Sequence, residues 1–191
     1  MTPHDPQVVL DAVRRAVAVA DDVLLLAFTG YVVHTRDGQV LGTPGGGLAM
    51  REVAELVRRG RAARPVLIVE SDGSGAIDDD FSGVSPRPTF LAGTAGAWPA
   101  VDLFVGTLAQ VLRAGVRDGP RVLEAGTLAR AVEASFHETR YNMEDDWVPG
   151  PPGVVLRRGL REPEVALGVN PAFGKRTGFL PDTEAVDAAY L

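Results

Sequence analysis

The chain has 191 residues, enough for one domain with a substantial core, and its 46% hydrophobic and 23% charged residues are those of a folded globular protein. A balance of 19 basic against 25 acidic residues leaves a net charge of -6, and with no basic cluster the chain does not suit nucleic acid. The lack of cysteine excludes disulfides, thiolate metal sites and cysteine nucleophiles and leaves the redox compartment unread; nothing at Met1 to Gln7 resembles a signal peptide and no apolar run approaches the ~20 residues of a membrane span, so a cytoplasmic location is expected.

Apolar residues at three- and four-residue spacing from Pro6 to Ala20 predict an amphipathic helix, with Asp5 or Pro6 near its start. Val23 to Phe28 is apolar throughout and reads as a central parallel strand that ends at Thr29-Gly30-Tyr31. The Asp37-Gly38 turn signal predicts a hairpin over Val32 to Leu41, and Pro44 to Gly47 reads as a Gly-rich loop without the Lys-Ser/Thr ending of a phosphate-binding loop. Leu48 to Arg61 is a second helix with a basic outer face that is simply solvated. Val66 to Val69 is then a buried strand parallel to the first, and Glu70 to Ala76 is the polar loop at its carboxyl end, where open α/β sheets place their chemistry.

Downstream, Ile77 to Pro88 reads as a mobile acidic and Pro/Gly-rich loop. Its Asp78, Asp79 and Asp80 are consecutive and point in different directions, whereas a hard cation draws ligands from spaced positions, so no metal is expected. Thr89 to Ala92 is a third strand, Ala100 to Ala114 and Glu124 to Thr139 are helices, and Pro149 to Gly153 is a linker. Val154 to Leu156 and Glu164 to Val169 complete the strands, Asn170 to Leu191 is an irregular tail, and no internal repeat is present. No cofactor is implied.

The order of an apolar strand ending in Phe-Thr-Gly-Tyr, a hairpin, a helix, and a strand ending in Glu-Ser-Asp-Gly-Ser-Gly-Ala resembles the caspase-like peptidases of the bacterial caspase and metacaspase group. In that family the first strand ends in Phe-Ser-Gly-His-Gly and supplies the catalytic histidine, and the second ends in Asp-Ser/Ala/Cys-Cys-x-Ser-Gly and supplies the nucleophilic cysteine. The later segments are similar too, with Val165 to Phe173 like the family's Leu-x-Leu-x-x-Asn-Pro close. The resemblance implies a three-layer α/β/α fold with a mostly parallel central sheet over residues 1–173, N-terminally truncated because the family's first two strands should precede Pro6, and a tail over 174–191.

Tyr31 stands at the histidine position and Asp72 at the cysteine position, so the resemblance implies a degenerate member, a pseudoprotease that binds, scaffolds or regulates. A phenol is a poor general base at neutral pH, and a carboxylate does not replace a thiolate as nucleophile toward a peptide bond. Gly30, Tyr31, Glu70, Ser71 and Asp72 form the expected binding site, with Glu70 at the place of the acid that receives a basic side chain in Arg- and Lys-specific members. The alternatives are a hydrolase on the same frame using Asp72 with Asp78, Asp79 or Asp80, and a serine dyad of Ser71 or Ser74 with His34. His4 and His137 are not credible ligands. Because the Val23 to Phe28 strand is apolar on both faces, its edge or face should need cover, which implies a second copy, a partner protein, or an active homologue.

Overall fold

The first helix, α1 (Pro6–Val19), starts where its sequence stops favouring anything else: Pro6 has no amide hydrogen to lose, and the Asp5 carboxylate accepts a hydrogen bond from the Gln7 N–H at 2.8 Å. The computed structural model describes residues 5–43, 45–71, 74–94, 103–141, 153–157 and 165–174. Expectations for His4, Asp72, the Pro149–Pro152 part of the linker and the tail beyond Gly174 lie outside them, as do the side chains of Phe136 and His137.

The main sheet contains β1 (Val23–Thr29), β5 (Arg64–Glu70), β6 (Thr89–Thr94) and β8 (Gly153–Arg157) in the order β1-β5-β6-β8. The first three are parallel, with Val23 to Thr29 registered on Arg64 to Glu70, and β8 is antiparallel to β6. The fold is therefore α/β with a mostly parallel sheet. The expected central position of β1 is corrected, since it ends the sheet among the described residues. Its even residues Leu24, Leu26 and Phe28 are buried and its odd residues are exposed, the pattern of a strand covered on one face only.

Along β5 and β6 both faces are covered. Leu67, Val69, Phe90 and Ala92 pack with α1, α2 (Met50–Arg59) and α3 (Ser74–Asp80), while Val66, Ile68 and Leu91 pack with α4 (Leu103–Ala114) and α5 (Ala125–Tyr141). Alternate residues of one strand thus feed two cores, and each fully buried Leu or Phe contributes about 1.5–3 kcal/mol.

The hairpin continues into a third strand. β2 (Val32–Thr35), β3 (Gly38–Thr43) and β4 (Gly46–Ala49) form an antiparallel sheet, so the segment read as a Gly-rich loop is a second tight turn plus a strand. Gly46 has φ +141, which the Thr43↔Gly46 closure requires, and Leu48 faces Leu41 in the core instead of opening a helix. A second correction concerns Ser74 to Asp80, which is helical where the end of the polar strand-end loop (to Ala76) and the start of a mobile loop (from Ile77) are expected, because Ile77 and Phe81 anchor it to the core. A third is β7 (Val122–Glu124), which pairs with β9 (Ala166–Val169) in a separate two-stranded sheet. Asn170 follows β9 and is buried; its side chain accepts from the Val116 and Ala172 N–H groups and donates to the Val116 and Pro120 carbonyls at 2.8–3.1 Å.

The basic face of α2 is solvated but not unpaired. Arg58 and Arg59 both reach Glu55 at 2.7 Å, and their hydrogen bonds lower its pKa to about 2. Arg61 pairs with Asp21, and Arg64 hydrogen-bonds Asp22 and lowers its pKa. These pairs join the start of β1 to the start of β5 without leaving a basic patch. Among the described residues no helix is long and apolar enough to cross a membrane.

Candidate functional site

The parallel register sets Thr29 beside Glu70, so Gly30-Tyr31 and Ser71 leave the sheet at neighbouring strand ends. The Gly30 N–H donates to the Glu70 carbonyl at 3.2 Å, extending the ladder one residue past the strand. Gly30 has φ +155, and a Cβ there would come 2.8 Å from the Gly42 carbonyl oxygen, so the crossing of the two chains needs glycine. Immediately after, the Tyr31 carbonyl accepts from the Gly42 N–H at 2.6 Å, fixing this strand end to β3. The Tyr31 side chain is 63% exposed and presents its phenol outward. Asp72, the expected partner position, lies outside the described residues.

Glu70 is 3% exposed, so it is not a solvated loop acid. One carboxylate oxygen accepts from the Phe104 N–H at 2.7 Å and the other from the Val105 N–H at 3.2 Å. These are first-turn amides of α4, which have no partner inside their helix, and a carboxylate at a helix N-terminus complements the dipole as well. The approach is close because Gly93, registered beside Glu70, has no side chain: a Cβ there would lie 2.2 Å from the Phe104 ring. The carboxylate expected to receive a guanidinium is therefore a buried cap on α4, and a basic side chain would have to displace two main-chain donors to reach it. The reason is a contact 34 residues away in sequence, which local spacing does not reveal.

Ser71 is also buried, at 4% exposure, with its N–H to the Gly93 carbonyl at 3.4 Å. His34 lies on β2 opposite Gln39 and is exposed. The acids diverge as expected. Asp78 is 2% exposed and pairs with Arg87 at 2.7 Å, Asp79 is exposed, and Asp80 accepts from the Gln39 N–H at 3.1 Å. Burial raises the pKa of Asp80, and the neighbouring charge of Asp79 adds to this against the Gln39 hydrogen bond. Among the described residues no group of three or more His, Asp or Glu side chains is arranged to hold a metal ion.

Chemically, the described part of this strand-end cluster offers an exposed phenol, a buried hydroxyl and a carboxylate committed to structure. Sequence reasoning expects the Val23 to Phe28 strand to need cover at its edge or face but misses which residues are bare: Val23 and Leu25 are 37% and 50% exposed, on a strand that ends the sheet among the described residues. Alternating burial leaves no trace in a run that is apolar at every position. No protein-family model matches the chain, and a search of curated proteins finds no match.

Proposed function

We propose that the chain is a catalytically inactive caspase-like domain, a pseudoprotease that acts as a binding, scaffolding or regulatory subunit. The observation that supports this reading is the strand-end geometry: adjacent parallel strands in the register Thr29↔Glu70 set Gly30-Tyr31 and Ser71 at neighbouring strand ends, and Asp72 follows Ser71 in the sequence. In a caspase-like frame those two positions would be the base and the nucleophile, and here they are a phenol and a carboxylate. Losing nucleophile and base together costs roughly six orders of magnitude in a serine-protease precedent. The competing reading, hydrolysis by Asp72 with neighbouring acids, is weakened by the structural engagement of Asp78 with Arg87 and of Asp80 with Gln39. The test is turnover: purified protein is expected to cleave no Arg-, Lys- or Asp-directed peptide. Cleavage that Asp72→Ala abolishes would overturn the proposal in favour of the hydrolase.

A further inference from the structure

We propose that two copies of the chain pair through the free edge of β1, antiparallel about a two-fold axis at Leu26, so that their main sheets become one. This names the partner for the binding role above and rests on that reading. The edge is defined by hydrogen-bond parity. The Arg64 N–H donates to the Asp22 carbonyl at 2.8 Å and the Gly30 N–H donates to the Glu70 carbonyl at 3.2 Å, so even-numbered residues of the strand turn their main chain toward β5. The N–H and C=O groups of Val23, Leu25, Ala27 and Thr29 therefore point the other way, to a side where no described strand pairs. The side chains of the same four residues are the exposed ones, so an apolar row runs beside an open ladder.

Edges of this kind are ordinarily blunted by lysine, proline, a bulge or a covering element. β1 reads Val-Leu-Leu-Leu-Ala-Phe-Thr and pairs with β5 in unbroken register, with no lysine, proline or bulge, and among the described residues no strand pairs with its outer side.

Symmetry and charge favour a second copy as the occupant. In a parallel ladder the residue that bonds faces one that does not bond back, so identical strands related by a two-fold axis cannot form it, whereas an antiparallel ladder maps onto itself. Full overlap of the strand sets Val23 opposite Thr29 and Leu25 opposite Ala27, and every outward-facing residue then meets an outward-facing residue. In that register Asp21 and Asp22 lie across from Tyr31 and Gly30 of the other copy, and no acid opposes an acid. A slip that overlapped the two N-terminal ends would bring Asp22 against Asp22, which is unfavourable.

The test uses the full chain in sedimentation velocity over a micromolar to sub-millimolar series. A concentration-dependent dimer is expected. Leu25→Lys puts charges beside the axis, and Ala27→Pro deletes an outward N–H without touching the β5 ladder; each is expected to weaken the dimer by about tenfold or more with the circular dichroism of the wild type. Val19→Lys, at a position 80% exposed on α1, should leave it unchanged. Because the chain has no cysteine, mixed Leu25→Cys and Ala27→Cys chains report the register. Opposed Cα atoms lie about 5.5 Å apart, within disulfide reach, so this mixture should cross-link faster than Leu25→Cys alone, whose sulfurs sit on a diagonal of about 7–8 Å.

A monomer throughout the series, a dimer that both edge variants leave intact, or capture of a different strand-donating protein by a monomeric chain would each overturn the pairing. A monomer that cleaves no peptide removes the second copy and leaves the binding role standing. A dimer with Asp72-dependent cleavage removes the binding role and leaves the pairing.

Discussion

Replacing Glu70 with alanine tests whether the strand-end carboxylate is a structural cap or a ligand site. The substitution leaves the Phe104 and Val105 amides without acceptors beside a phenyl ring that is itself 2% exposed. Each stranded buried donor costs about 1–3 kcal/mol, and water entering the vacated space favours the lower half of the combined range, so a loss of about 3 kcal/mol is expected. Native stability is typically about 5–15 kcal/mol, so the variant should fold but with a clearly lower margin. In urea, with a slope of about 2 kcal/mol per molar, the midpoint should fall by about 1.5 M at unchanged slope. Glu70→Gln retains an acceptor for one amide but turns its own NH₂ toward the other, and should lose roughly half as much. A Glu70→Ala stability within about 0.5 kcal/mol of wild type, combined with calorimetric loss of Arg-peptide binding, would refute the reasoning and restore the guanidinium site.

Three further outcomes follow from the same contacts. Asn170→Asp keeps the acceptor for Val116 and Ala172 but turns a carboxylate oxygen on the Val116 and Pro120 carbonyls, and thermal denaturation should show a loss of about 2–4 kcal/mol at neutral pH that shrinks as the carboxyl is protonated. Asp80 has a folded-state pKa raised by burial, so its contribution is fully present below the ordinary carboxylate value and is lost as pH rises through the raised one. Asp80→Asn keeps an acceptor for the Gln39 N–H, and its stability relative to wild type should therefore increase from pH 3 toward pH 7; a flat difference would contradict this. For the family assignment, Tyr31→His with Asp72→Cys should place an imidazole beside a thiol, and iodoacetamide alkylation should show a more acidic thiol than in Asp72→Cys alone. Indistinguishable pH profiles would mean that the two positions do not face each other.

What the sequence discloses and what it hides divide along the range of the interactions. The strands at Val23 and Val66 and the faces of α1 and α2 are legible because continuous apolar runs and three- to four-residue spacing are local signals. β4 is hidden because its glycines read as a loop until Leu48 is seen against Leu41. β7 is three residues long and forms only by pairing with β9. α3 has a single large apolar residue, Ile77, within a run of small and acidic ones. Strand order is equally unwritten: a run apolar on both faces reads as central, yet β1 ends the sheet among the described residues. In the site, Gly30, Tyr31 and Ser71 stand on neighbouring strand ends as their spacing suggests, while the commitment of Glu70 depends on amides far along the chain.

Helix α4 is held at its first turn by Glu70 and, one residue past Gly115 at the other end, by Asn170. Helix ends ordinarily fray, and their amides exchange with solvent through small local openings. Here the amides of Phe104, Val105 and Val116 are bonded to side chains that belong to β5 and to the residue after β9, so releasing them requires moving sheet elements as well. Their hydrogen exchange should be slow and should track global unfolding instead of falling off toward the ends. The helix thus joins the middle and the end of the chain into one cooperative unit.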